Sequence, residues 1–362
     1  MHSVPLLHTA AEVTPEWLTD ALNGAGVLPP GSRVVGIETE TIGTGQMADT
    51  TRFRLTYDPA ESGPASVVGK FASADDQSRA AGLAIRGYEI EVRFYQEVAG
   101  RVEARVPTPY AAEIEPETGW FTLLLQDAVG ATQGDQIAGC TPEIAAAVLE
   151  EMAGLHAPVW EDPELAKLEW LNRDSPEADA LLNAMLQGLL PGFLDRYGDV
   201  LPPEHQQVCR TLVTHLDRLT AQRVGPRTAS HVDFRLDNLL FEPGNPRPVV
   251  VDWQTLNWGS AASDVAYFIG GSLSSEDRRL HEADLVERYH QALVRRGVEG
   301  YSLEQLLADV RRETFAGLLM VIVASQLVQR TERGDAMFVA MATRHAQHVL
   351  DSDALALLED DT

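Results

Sequence analysis

The chain has 362 residues, is 44% hydrophobic and 23% charged, and carries a formal net charge of −26. Its length suits two domains or one large two-lobed unit around a sizeable core, and its acidity argues against nucleic acid or an anionic membrane as partner. Cys140 and Cys209 are the only cysteines and form no motif, so neither a disulfide framework nor a zinc site is supported; with no signal-peptide pattern at the N-terminus, a cytoplasmic location is expected.

The first predicted element is a short amphipathic helix from Thr14-Pro15-Glu16 to about Leu22, with Thr14 as N-cap and Pro15 at the first helical position. Val34–Ile42 reads as a strand that runs into Gly43-Thr44-Gly45-Gln46-Met47-Ala48. That segment matches the G-x-G-x-x-A dinucleotide fingerprint, which requires a helix immediately afterwards. Instead Thr51, Phe53, Leu55 and Tyr57 alternate with Arg52, Arg54 and Thr56, the period of a strand. A strand, Gly-rich turn and strand suit a hairpin that covers phosphate through Gly43, Thr44, Gly45 and Gln46, or a plain hairpin turn.

Ser66–Ala72 (SVVGKFA) is an apolar strand interrupted by Lys70, placed to meet the α/β-phosphates of a nucleotide. Gly87–Ala99 is helical and offers Glu89 or Glu91 as its partner; Glu91 is preferred, because Phe94 and Tyr95 would anchor that helix face. Strands follow near Ala111–Ile114 and at Trp120–Leu125, and the pattern breaks at Gln126-Asp127-Ala128-Val129-Gly130. This break is a hinge candidate whose backbone could meet an adenine edge. From Thr141 onward helical periodicity dominates, with segments at Pro142–His156, Ala178–Tyr197, Pro203–Gln222, Leu280–Arg296, Leu303–Leu327 and Ala336–Leu350. His345 and His348 lie at helical spacing with no third metal ligand apparent and read as surface residues.

The most informative stretch is HVDFRLDN at 231–238, followed by VVVDW at 249–253. Phosphoryl transfer needs a carboxylate to orient and deprotonate a hydroxyl, and oxygen ligands to hold Mg²⁺ on the phosphates. Asp233 reads as the base, with Asn238 and Asp252 as hard oxygen ligands. Leu239–Phe241, the Pro- and Gly-rich Glu242–Pro248, and Val249–Val251 form a hairpin pattern that would return Asp252 beside Asn238. Arg235 has two open readings. It could neutralise charge on the transferred group, or pair with Asp237 and shape the loop. His231 reads as a loop-orienting residue.

Taken in order, GTGQM, VVGKF, EVRFY, LLLQD, HVDFRLDN and VVVDWQ resemble the aminoglycoside phosphotransferase and choline kinase superfamily. DFRLDN, DWQ and the GDQ at 134–136 are most similar to its ecdysteroid-kinase-like branch. The resemblance covers about residues 35–350. It implies an α+β, two-lobed protein-kinase-like fold, with a β-rich N-terminal lobe over 1–127 and a mainly helical C-terminal lobe over 128–362. It also implies Lys70 on the phosphates with Glu91 as partner, Gln126, Asp127 and Ala128 at adenine, Asp233 as base, and Asn238 with Asp252 on Mg²⁺. Asp264 becomes a structural residue bracing the catalytic loop. Val232 departs from the family, which usually has Gly there.

The expected activity is transfer of the γ-phosphoryl group of ATP, with Mg²⁺, to a hydroxyl of a small molecule. A catalytically silent nucleotide-binding scaffold and nucleotidyl transfer are the alternatives. Trp160, Trp170, Leu171, Met185, Phe193 and Tyr197 are either acceptor-site wall or core. Aromatics suit a sterol-like alcohol, and the acidic charge suits a cationic one.

Overall fold

The computed structural model describes residues 3–43, 48–221 and 225–358. The chain divides into two compact units. The first comprises residues 1–101, 106–131 and 249–255, and the second residues 102–105, 132–248 and 256–362.

In the first unit, helix α1 (Pro15–Gly24) starts at Thr14, whose hydroxyl accepts the Trp17 N–H. Strands β1 (Arg33–Thr41), β2 (Ala48–Asp58) and β3 (Ser66–Ala72) follow, then helices α2 (Asp76–Ala84) and α3 (Gly87–Arg93), and strands β4 (Pro109–Glu115) and β5 (Trp120–Gln126). The strands form one antiparallel sheet in the order β1-β2-β3-β5-β4. Side chains alternate across β3, so Val67 and Phe71 enter the core beside Phe53 while Lys70 faces the other way. Gly69 belongs to that apolar face, where an added Cβ would lie 2.6 Å from the Phe53 ring. Helix α2 had no counterpart among the predicted elements. Helix α3 passes into a π-helical turn over Phe94–Val98, a feature found most often near functional positions.

The second unit opens with the short strand β6 (Thr132–Gln133), then helices α4 (Pro142–His156), α5 (Pro176–Tyr197), α6 (Pro203–Thr214) and α7 (Leu216–Ala221). Strands β7 (Arg227–Ser230) and β8 (Leu239–Phe241) flank the HVDFRLDN loop. The chain enters the first unit at β9 (Val249–Val250), then returns through β10 (Asn257–Ser260), which pairs antiparallel with β7. Helices α8 (Ala261–Ser272), α9 (Ser275–Arg295), α10 (Leu303–Glu313), α11 (Ala316–Leu327) and α12 (Glu332–Asp351) complete it.

Three readings of the sequence are corrected here. The helix expected over Leu303–Leu327 is two helices, α10 and α11, and the one expected over Pro203–Gln222 is broken at His215 between α6 and α7. His345 and His348 are fully buried rather than on the surface. The His345 ring fills space left by Gly270, Gly271 and Gly317, where an added Cβ would collide with it. Of the side chains suggested as acceptor wall or core, Trp170, Leu171, Phe193 and Tyr197 are buried, the last two in the cluster formed by α5, α6, α11 and α12. Trp160 packs on Tyr301, with ring centroids 5.3 Å apart.

Candidate active site

Within the first unit, the β3 lysine and the α3 carboxylate meet. Lys70 Nζ donates to Glu91 Oε1 and Oε2 at 2.8 and 2.6 Å, and to Asp252 Oδ1 at 3.1 Å. Glu89 faces elsewhere and pairs with Arg86 and Arg93. Burial opposes the Lys70 charge, but the carboxylates of Asp252 and Glu91 outweigh it and hold the pKa above its ordinary value. Burial pushes the Glu91 carboxyl up while Lys70 holds it down, and the Asp252 side chain is 39% exposed while Glu91 is buried.

The residues after Asp252 are structural anchors. Trp253 stacks on Phe94 of the π-helical turn, with centroids 3.7 Å apart and ring planes within 11°, a contact worth about 1 kcal/mol beyond its area. Gln254 donates to Glu91. The turn that interrupts α3 thus ties the DWQ segment to the helix bearing Glu91.

At the end of β5, Gln126 Oε1 accepts from Thr108 Oγ1 at 2.9 Å. Asp127 is gripped by Arg52 Nε at 2.7 Å, Arg52 Nη2 at 3.1 Å and Ser66 Oγ at 2.6 Å. The Ala128 carbonyl accepts the Ala131 N–H, closing a tight turn. Gly43 has φ +79°, the left-handed backbone that favours glycine, where β1 leaves the sheet. Thr44, Gly45 and Gln46 lie outside the described residues.

Within the second unit, the backbone of the HVDFRLDN loop is held from two sides. Asp264, fully buried near the start of α8, accepts the His231 N–H at Oδ2 (2.7 Å) and the Val232 N–H at Oδ1 (2.8 Å). His156 Nε2 lies 3.1 Å from Asp264 Oδ2, and its Nδ1 lies 2.6 Å from the Tyr289 hydroxyl. Burial disfavours the Asp264 carboxylate, but the hydrogen bond and charge of His156, with the loop N–H groups, overcome this and lower its pKa. Asp264 therefore braces the loop.

Val232 sits at φ +70°, a strained backbone for a β-branched residue. The hydrogen bond to Asp264 holds that conformation, so valine here adopts the geometry that a glycine would take freely. The GDQ segment supplies the second support. Gln136 Oε1 accepts the Leu236 N–H at 2.8 Å, and the Gln136 N–H donates to Asp237 Oδ1 at 3.0 Å. Gly134 lies so near the Leu236 carbonyl that a Cβ would come within 2.5 Å of it.

Asp233 projects from this frame with both oxygens engaged. Its Oδ1 accepts from the Tyr267 hydroxyl at 2.6 Å. Its Oδ2 accepts from Arg235 Nε and from Asn238 Nδ2, each at 3.0 Å. Asn238 Nδ2 also donates to the Asp233 carbonyl, which commits the amide nitrogen to the loop. Arg235 also reaches Asp237 Oδ2 at 2.8 Å, and Arg333 donates to both oxygens of Asp237.

A sequence model of the APH phosphotransferase enzyme family matches residues 48–302. The chain belongs to this family. Solved structures agree at the level of fold. The choline kinase from Cryptosporidium parvum Iowa II aligns with TM-score 0.54 and 10% identity over 88% of this chain and 89% of its own. The Plasmodium vivax ethanolamine kinase gives 0.53 and 10% over 85% and 82%. A provisional aminoglycoside phosphotransferase from Ralstonia eutropha JMP134 gives 0.51 and 16% over 92% and 98%. The fold is α+β and kinase-like, with a β-sheet N-terminal region and a helical C-terminal region. Neither the family match nor these structures distinguishes the ecdysteroid-kinase-like branch. No curated protein matches the chain in sequence.

Three contributors in this phosphotransferase escaped the sequence reading: Tyr267, His156 and Tyr289. Tyr267 carried a usable signal, since it lies three residues after Asp264 and so on the same helix face. His156 and Tyr289 carried none, because only tertiary packing brings them to Asp264. No helix among the described residues is long and apolar enough to cross a membrane.

Proposed function

We propose that this phosphotransferase is an ATP- and Mg²⁺-dependent kinase for a hydroxyl group of a small molecule. The observation that carries the proposal is the Asp233 carboxylate, held by Tyr267, Arg235 and Asn238 on a loop braced by Asp264. Asp233 orients the acceptor hydroxyl and takes its proton while the hydroxyl oxygen bonds to the γ-phosphorus and the bond to ADP breaks. Such a base contributes about 10²–10⁴-fold to rate. Lys70, fixed by Glu91, meets the α/β-phosphates, and Gly43, Thr44, Gly45 and Gln46 are assigned to cover them. Gln126, Asp127 and Ala128 border adenine; the Asp127 side chain is spent on Arg52 and Ser66, so that segment offers backbone groups. Asn238 and Asp252 hold the metal, which neutralises phosphate charge when bound. Arg235 is paired with Asp233 through Nε and with Asp237 through Nη1, which shapes the loop.

Screening purified protein with ATP-Mg²⁺ against amine-bearing and sterol-like alcohols tests this reading. Acceptor-dependent ADP release is expected. Pyrophosphate release with AMP attached to the acceptor would instead indicate nucleotidyl transfer, and tight ATP binding with no turnover on any alcohol would indicate a scaffold.

A further inference from the structure

Helix α8 meets the catalytic loop twice. Asp264 binds the loop backbone, and one turn later Tyr267 donates its hydroxyl to Asp233 Oδ1 at 2.6 Å. The two lie at i and i+3, on one face of a rigid element, so backbone and carboxylate of the loop share one reference frame. Tyr267 is 2% exposed, and the His345 ring packs against it with centroids 5.4 Å apart. His345 itself is wedged against Gly270, Gly271 and Gly317, so the phenol has little room to turn. Arg235 and Asn238 donate to Asp233 from within the loop, two and five residues away, and move with it. Tyr267 is the donor that comes from outside the loop.

We propose that Tyr267 is a positioning residue for Asp233, fixing the carboxylate's rotation through Oδ1 so that it presents a constant face to the acceptor hydroxyl. This rests on the assignment of Asp233 as base. Burial, and then the Asp233 charge, push the Tyr267 phenol well above its usual pKa, so it stays protonated and donates throughout the working range. A donor that cannot ionise gives an orientation that does not change with pH.

The test is a double-mutant cycle on the full chain with one verified acceptor: wild type, Y267F, D233N and Y267F/D233N. Phenylalanine keeps the ring, so the melting temperature should stay within a few degrees. Loss of a hydrogen bond to a carboxylate should lower kcat about tenfold, with KM for ATP and acceptor within about twofold of wild type. In the D233N background, Y267F should have no further effect. Wild-type kcat in Y267F, or an equal fall in both backgrounds, overturns the proposal and reduces Tyr267 to packing. If D233N alone keeps the wild-type rate, the base assignment has failed instead. Should Y267F not fold, 4-aminophenylalanine at position 267, which keeps ring and donor, is expected to restore folding and at least about a third of kcat; a folded, inactive product contradicts the proposal.

Discussion

Lys70 and Asp252, 182 residues apart in sequence, are joined by a 3.1 Å ion pair on the same ammonium that Glu91 holds at 2.6 Å. The first unit thus holds one lysine between a buried carboxylate and a partly exposed one, the roles proposed above for phosphate and metal.

Removing the lysine separates these roles. Lys70→Ala leaves Glu91 buried without its cation, so a stability loss of about 2–3 kcal/mol is expected. Turnover with ATP should fall at least about 100-fold in protein that remains folded. Steady-state kinetics over a range of ATP, beside thermal melts, check this. Unchanged ATP kinetics would reduce Lys70 to a structural cation.

Asp252→Asn removes the charged metal ligand and should abolish most of the Mg²⁺-dependent gain in nucleotide affinity. Calorimetry with and without Mg²⁺ reads this directly. An equal gain in wild type and variant would contradict the metal assignment.

Asp264 is expected to matter for stability as well as rate. Asp264→Ala orphans the N–H groups of His231 and Val232 and strips His156 of its partner. Each unsatisfied buried donor costs on the order of 1–3 kcal/mol, so unfolding should shift by about 3 kcal/mol and activity should fall with it. Asp264→Asn keeps one acceptor oxygen and should be milder. Denaturant melts of both variants decide the matter.

His345 predicts a pH dependence of stability. Burial, then the positive neighbours His348, Arg344 and Arg278, lower its pKa from 6.5 to about 3. The unfolded chain therefore takes up this proton at a higher pH than the folded one. Above about pH 6.5 the group contributes no pH dependence; from there down to about 3 it costs about 1.4 kcal/mol per pH unit. His345→Phe should flatten the fall in melting temperature between pH 6 and 4. Parallel curves for wild type and variant would assign the acid loss to other groups.

Strong local signals made much of the fold legible. Thr141 and Pro142 mark the start of α4 because a cap and a fixed φ act locally, and the apolar run SVVGKFA delimits β3. The break between α10 and α11 was hidden, since neither Gly nor Pro stands at Thr314 or Phe315, where the break falls, and the apolar pattern runs through it. Helix α2 was missed because it buries only Gly82 and has almost no apolar face to read. The histidines of α12 were misread for a different reason. Their burial depends on glycines in α8 and α11, and helical spacing says nothing about a groove supplied by other helices. At the site, the expected partner of Lys70, Glu91 rather than Glu89, is the one the structure pairs with it. The donors that hold the site's side chains are set by tertiary contacts and appear only in the fold.

The central claim is that Asp233 accepts the proton of the acceptor hydroxyl, and the rate of Asp233→Asn on a verified acceptor tests it most directly. The asparagine is nearly isosteric and retains an oxygen that can accept from Tyr267, so ATP-Mg²⁺ should bind almost normally. Turnover should fall by about 10²–10⁴-fold, which is roughly 3–5 kcal/mol of barrier. A variant that binds nucleotide normally and phosphorylates the same acceptor at the wild-type rate would contradict the account.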